Sequence, residues 1–132
     1  MFETKKEDQS NIIYKVPSYI NKNIDEVRNE LNNNNINTII IGDGYKIIKQ
    51  YPNKNTKLVH GDKVYLLTNS NNYKMPNMSG WSRYEVIKFC EFIGMDYSFE
   101  GYGYVVSQSI KNDNKIDSNS KLEILLGNIK EN

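Results

Sequence analysis

A repeat with a period of 59 residues constrains this chain more than any other feature. Val16-Pro17 returns as Met75-Pro76, and 76 − 17 = 59. At the same offset Asn23 and Glu26 fall on Ser82 and Glu85, Val27 on Val86, Leu31 on Cys90, Gly42 on Gly101 and Gly44 on Gly103. Beyond Gly103 the register slips by one, so that Gln50 matches Gln108, Leu58 matches Ile116 and Leu66 matches Ile124. A period held across proline, cap, glycine and strand positions implies two structural repeats. The 132 residues would otherwise suit one domain. Units of about 60 residues bury only ~60% of their unfolded surface, so each depends on good packing.

The second copy is the clearer. Pro76 favours an extended Met75. Ser82 and Glu85 have the spacing of a capping box, with Trp81 just before the cap and Val86 placed for a hydrophobic staple. Val86, Phe89, Cys90 and Ile93 then recur at helical spacing, and Gly94 is a natural stop. A helix is expected over about Arg83–Ile93. In the first copy Ile24, Val27 and Leu31 mark a helix from Ile24 to about Asn32, ended by the asparagines at 32–35.

Each helix precedes three strand-like segments. In the first copy these are Ile36–Ile41, Tyr45–Tyr51 and Lys63–Thr68, with Gly42-Asp43-Gly44 read as a hairpin turn. Residues 52–62 are expected as a loop, in which Asn55 and Gly61 supply positive φ. In the second copy they are Met95–Glu100, Tyr104–Ile110 and Lys121–Leu126, with Gly101-Tyr102-Gly103 as the turn. Met95, Tyr97 and Phe99 alternate with Asp96, Ser98 and Glu100, as in a strand with one wet face. The expected fold is α+β: two tandem repeats, each with one helix packed on a three-stranded antiparallel sheet. The expected boundaries are a tail or linker at 1–11, repeat 1 at 12–68, a polar linker at 69–74, repeat 2 at 75–127 and a tail at 128–132.

Composition excludes several functions. A net charge of +1 argues against nucleic acid as the main partner. One cysteine, Cys90, permits no intramolecular disulfide and reads as a small buried hydrophobe. The single histidine, His60, falls in a loop and makes a zinc site implausible; no cofactor is expected. The first residues lack the apolar core of a signal peptide, and no run approaches the ~20 apolar residues of a membrane helix.

The order of elements, with Val16-Pro17 and Met75-Pro76, the capped helices, the Gly42/Gly44 and Gly101/Gly103 turns and the Gln50 and Gln108 strands, resembles the PASTA repeat. Gln50-Tyr51-Pro52 fits that family's Gln-x-Pro. Gln108-Ser109-Ile110 departs from it, and Asn55 and Asp113 stand where glycine is usual. The resemblance spans about Val16–Leu126. Met78-Ser79-Gly80-Trp81, Ile110 and the ending Leu122–Gly127 resemble the paired repeats at the C-terminus of Gram-positive class B penicillin-binding proteins, the transpeptidases of division and sporulation. This resemblance implies a C-terminal fragment whose membrane anchor and transpeptidase domain lie upstream, facing the outside of the membrane. It implies as partners peptidoglycan or its stem peptides, β-lactams, the transpeptidase domain of the same parent chain and division proteins. The alternatives are the ligand-sensing ectodomain of a PASTA serine/threonine kinase, or a pure spacer that docks on its own enzyme.

No catalytic set is apparent. Ser118-Asn119-Ser120-Lys121 matches Ser-x-x-Lys by letters, but it lies in a loop entering a strand and no other transpeptidase element accompanies it. The fragment is read as a non-catalytic binding module. Its candidate ligand residues are Trp81, Arg83, Tyr102 and Tyr104. Trp81 and the turn tyrosines, Tyr45 among them, would stack on sugars or β-lactam rings. Arg83, and beside it Lys88, would pair with a stem-peptide carboxylate. Each has a plain structural alternative: the staple for Trp81, an exposed turn aromatic for Tyr102 and a solvated helix face for Arg83 and Lys88.

Overall fold

A computed structural model describes residues 11–117 and 119–128. Residues 1–10, Ser118 and 129–132 lie outside the described residues, and with them all but Asn11 and Asn128 of the tails expected at 1–11 and 128–132. The chain divides into two compact units between Asn71 and Asn72. Each is described by itself.

The first unit runs β1 (Ile12–Lys15), α1 (Ile24–Asn33), β2 (Asn37–Ile41), β3 (Ile47–Tyr51), β4 (Lys57–Val59) and β5 (Lys63–Thr68). The second repeats the order: β6 (Tyr73–Lys74), α2 (Arg83–Ile93), β7 (Asp96–Glu100), β8 (Tyr104–Gln108), β9 (Lys115–Ile116) and β10 (Lys121–Gly127). Helix α1 is capped by Asn23, whose Oδ1 accepts from the amides of Asp25 and Glu26. Helix α2 carries the full capping box. The Glu85 amide donates to Ser82 Oγ at 3.1 Å, and the Ser82 amide donates to Glu85 Oε1 at 2.9 Å. Gly94 ends α2 at φ 75°, and Asn35, its counterpart 59 residues earlier, takes φ 60°. Asn55 and Gly61 also adopt positive φ, as expected.

The sheets are mixed and not antiparallel as expected. In the first unit the order is β2-β5-β3, with β5 parallel to β2 and antiparallel to β3. In the second it is β7-β10-β8, with β10 parallel to β7 and antiparallel to β8. The last strand of each unit inserts between the other two, so Gly42-Asp43-Gly44 and Gly101-Tyr102-Gly103 are not hairpin turns. They arch over the end of the central strand and touch its backbone. A Cβ on Gly42 would lie 2.4 Å from Thr68 Oγ1, and one on Gly101 would lie 2.5 Å from the Leu126 carbonyl oxygen. Thr68, buried at 1% exposure, closes this arch in the first unit. Its Oγ1 accepts from the Gly44 amide at 2.9 Å and donates to the Ile41 carbonyl at 3.3 Å.

Two further strand pairs bring in segments read as loop or linker, joined in the first unit to the stretch from Ile12 that was expected to be extended. β1 pairs antiparallel with β4, and β6 with β9. Tyr73 and Lys74, expected in the linker, therefore form the first strand of the second unit. Both pairs were hidden because they hold only two to four residues, too few for a period-2 pattern.

The first core gathers Val16, Tyr19, Ile24, Val27, Leu31, Ile36, Ile47, Leu58, Val64 and Leu66. The second buries Met75, Met78, Val86, Cys90, Met95, Val105, Ile116, Leu122 and Ile124 at matching positions, and adds Phe89. One difference is chemical. Buried Tyr19 shares a hydrogen bond with the Tyr14 hydroxyl at 2.7 Å, and Tyr14 donates to the Glu30 carboxylate. Residues 59 positions on are Tyr73, Met78 and Phe89, so the second unit fills the same place with an apolar pair.

Candidate ligand-binding surface

The elements that place the candidate residues meet at one end of the second unit. The segment before α2 runs beside the start of β8. The Gly80 amide donates to the Val105 carbonyl at 3.0 Å, and the Val105 amide donates to the Trp81 carbonyl at 2.9 Å. Ser82 and Tyr104 form an antiparallel bridge. The first residue of α2, Arg83, is thereby set next to the start of β8.

The four residues divide into two kinds. Trp81 is only 6% exposed, and its ring meets Phe89 edge-on, with centroids 6.1 Å apart and planes at 74°. Such a pair adds about 0.5–1.5 kcal/mol beyond area burial. Trp81 is part of the core and presents no stacking face to solvent. The other three are exposed. Tyr102 stands out at 88% exposure between its two glycines, and Tyr104 at 52%. The Arg83 guanidinium carbon sits 4.4 Å from the centre of the Phe99 ring. Phe99 is itself held by Tyr97, whose centroid is 5.6 Å away at 66°. A cation over an exposed aromatic face is worth about 0.5–1 kcal/mol, enough to bias a flexible side chain toward one position. Among the described residues no carboxylate accepts from Arg83, so its donors remain available.

Lys88 belongs elsewhere: its Nζ lies 5.2 Å from the Tyr84 ring centre and 3.8 Å from the Glu91 carboxylate. Tyr45 is exposed at 66% in the first unit. It is also the residue at which the 59-residue period slips, since Asn23 bridges Lys46 where Ser82 bridges Tyr104.

Phe99 was read only as one member of an alternating strand. Its place beside Tyr97 on the less exposed face was legible; the stacking of Arg83 across it was not. On the wet face of the same sheet, β7, β10 and β8 leave an open depression of about 360 Å³, lined by Ser98, Glu100, Ser107, Ser109, Glu123 and Leu125. Ser109 Oγ there accepts from the Glu123 amide at 2.8 Å.

The remaining reactive groups lie apart from this surface. Cys90 is fully buried, and burial pushes its thiol up to about 12. His60 is exposed in the β4–β5 connection. Of the Ser-x-x-Lys letters, Asn119 and Ser120 form a turn around Asp117, whose Oδ1 accepts from the Asn119 amide at 3.0 Å. Lys121 is exposed at the start of β10. Among the described residues no three His, Cys, Asp or Glu side chains gather as a metal site, and no helix is long and apolar enough to cross a membrane.

The PASTA domain family matches residues 14–70 and 73–128. No curated protein matches the chain in sequence. Among solved structures, penicillin binding protein 2X from Streptococcus thermophilus is 26% identical over 87% of this chain and 17% of its own, with a TM-score of 0.74. The three-PASTA-domain region of a Ser/Thr kinase from Staphylococcus aureus is 26% identical over 86% of this chain and 66% of its own, with a TM-score of 0.33. The entire extracellular region of the Ser/Thr kinase PrkC from the same species is 23% identical over 88% and 48%, with a TM-score of 0.38. The chain thus spans less than a fifth of the first of these proteins and belongs to the PASTA domain family, of which it carries two tandem copies.

Proposed function

We propose that the chain is the wall-recognising part of an extracytoplasmic, membrane-anchored penicillin-binding protein that acts in septal peptidoglycan synthesis. The observation that carries this reading is the likeness to penicillin binding protein 2X over 87% of the chain at a TM-score of 0.74. In this reading the chain is not itself catalytic; the transpeptidase reaction belongs to another part of the parent protein. Arg83 donates to a stem-peptide carboxylate in a charge-assisted pair, steadied by the Phe99 ring. Tyr102 and Tyr104 offer ring faces to a sugar. Trp81 acts indirectly, as the core residue whose backbone fixes the start of β8.

Co-sedimentation with purified peptidoglycan sacculi tests this reading. The chain should sediment with sacculi, and Arg83→Ala and Tyr102→Ala should each weaken retention about fivefold to tenfold without altering the fold. Absence of retention at physiological salt would leave a positioning element that docks on its own enzyme, and the recognition reading would be wrong.

A further inference from the structure

The wet face of the second sheet carries its depression of about 360 Å³ across β7, β10 and β8, and strand register lays the lining out in two rows. In one row Leu125 lies between Glu100 on β7 and Ser107 on β8. In the other, Glu123 lies opposite Ser98 on one side and is bonded to Ser109 on the other. The Ser109 amide donates to the Glu123 carbonyl at 2.9 Å, and the Glu123 amide donates to Ser109 Oγ at 2.8 Å. Three strands make each row about 10 Å wide. Gln108, between Ser107 and Ser109, is fixed by its bonds to Met78, Pro76 and Ile110. The frame is therefore in place without a ligand.

Its polar groups are unused. Among the described residues neither Glu100 nor Glu123 enters an ion pair, and neither carboxylate accepts a hydrogen bond. The hydroxyls of Ser98 and Ser107 also make none, and no lining residue is cationic. Leu125, in the middle of its row, is 43% exposed. The apolar strip continues toward the Gly101–Gly103 arch. Val106 is the extra residue where β8 and β10 slip register; its Cγ1 lies 3.4 Å from where a Cβ on Gly127 would stand, and Tyr104 pairs with Gly127. The first unit has a different surface here. Ile39 stands for Ser98, Ile41 for Glu100, Tyr51 for Ser109 and Tyr65 for Glu123, and Ile41 and Tyr65 are buried. The two copies share one sheet topology, so the carboxylates and serines are not needed to build it.

Resting on the peptidoglycan reading above, we infer that this depression holds the glycan as a neutral saccharide, while Arg83 takes the peptide. A sugar ring has an apolar face of C–H groups bordered by hydroxyls. Leu125 matches that face, and the groups around it match the border. The carboxylates accept from hydroxyls in charge-assisted bonds, and the serines both donate and accept. A carboxylate or phosphate would meet two negative charges and no cation. A small amine would pair with the carboxylates but leave Leu125 and the serines in water. The volume lies at the low end of the range of about 300–1,000 Å³ common to small-ligand sites. Val106 and Tyr104 lead from the depression toward Tyr102, so one saccharide chain can lie along β8 and reach both tyrosine rings.

Amide chemical shifts of the whole chain, titrated with the β-1,4-linked tetrasaccharide of N-acetylglucosamine, test the inference. This probe carries neither charge nor peptide. Saturable shifts are expected at Ser98, Glu100, Ser107, Glu123 and Leu125, with affinity little changed as salt is raised. Glu100→Ala and Glu123→Ala should each weaken binding about fivefold to tenfold, and Leu125→Asp at least as much. All three side chains are exposed, and an otherwise unchanged amide spectrum would show that the variants remain folded. The absence of shifts at about 10 mM tetrasaccharide, or binding that all three variants retain, would overturn the inference. So would shifts at these residues with cadaverine, a diamine, and none with the tetrasaccharide, which would make the depression a cation site. Sedimentation with sacculi separates the two readings. A chain retained by sacculi but blind to the tetrasaccharide would refute this inference and leave wall recognition standing, whereas a chain that binds neither would refute both.

Discussion

Gln50 and Gln108 each make three hydrogen bonds to backbone, and the partners correspond residue for residue: Tyr19, Pro17 and Pro52 in one unit, Met78, Pro76 and Ile110 in the other. The proline of Gln-x-Pro can therefore be lost at Ile110, because the bond goes to a carbonyl that every residue has. Removing either amide strands one donor and two acceptors in a half-buried site. Gln50→Ala and Gln108→Ala should each cost about 2–4 kcal/mol of stability in chemical denaturation. A cost below about 1 kcal/mol would show that water replaces the amide. Burial sets a second expectation at this scale. It raises Tyr19 and Tyr14 above their ordinary 10.0; the Tyr14–Tyr19 bond adds to the rise at Tyr19 but opposes it at Tyr14, where the bond to Glu30 adds to it, and burial raises Cys90 from 9.0 to about 12. The folded chain then holds these protons more tightly than the unfolded chain, which releases them first as the solution becomes alkaline. Stability should be full below about pH 9 and fall steadily above it. Tyr19→Phe and Cys90→Ala should each flatten part of that fall in denaturation midpoints followed from pH 7 to 11. A flat profile in the parent chain would contradict the assignment. The native thiol should also resist disulfide reagents until the second unit unfolds.

At the scale of elements, the helices were legible to within a residue and the sheets were not. A capping box, a staple and a glycine stop are local signals, written within about one turn of the residues they govern. Strand partnership is not local. A glycine-flanked turn between two β-rich segments looks the same whether those strands pair with each other or admit a third between them. The distinction lies in the contact that forbids a side chain, Gly42 against Thr68 and Gly101 against Leu126, and it appears only once the central strand is in place. Gly101→Ala should therefore cost roughly 2–4 kcal/mol, through a Cβ driven into a carbonyl at a φ of +89°. Gly80 provides the control. It too has positive φ, but a Cβ there meets nothing within 4 Å, and Asn21 takes φ 70° at the matching place in the first unit. Gly80→Asn should stay within about 1 kcal/mol of the parent. If the two variants proved equally destabilising, the close approach would not be the reason for the glycine.

For the whole molecule, the repeat could be read from spacing, because the frame is set by residues that recur, and the family from the resemblance that its prolines, caps, glycines and Gln50 and Gln108 carry. The proposed recognition residues lie where the copies differ, and there local pattern is a less even guide. Trp81 looked like both a staple and a stacking face; only its burial against Phe89 decides for the core. Arg83 and the exposed tyrosines emerged as a surface because a strand bridge joins Ser82 to Tyr104, a pairing across 22 residues that no local pattern announces. The most direct test of the proposed recognition surface is an amide chemical-shift titration of the chain with soluble peptidoglycan fragments. The account predicts saturable shifts at Arg83, Phe99 and Tyr102–Tyr104, lost in Arg83→Ala, with the Trp81 indole moving little because it is buried. An absence of shifts at about 1 mM fragment, or shifts confined to the first unit, would contradict it.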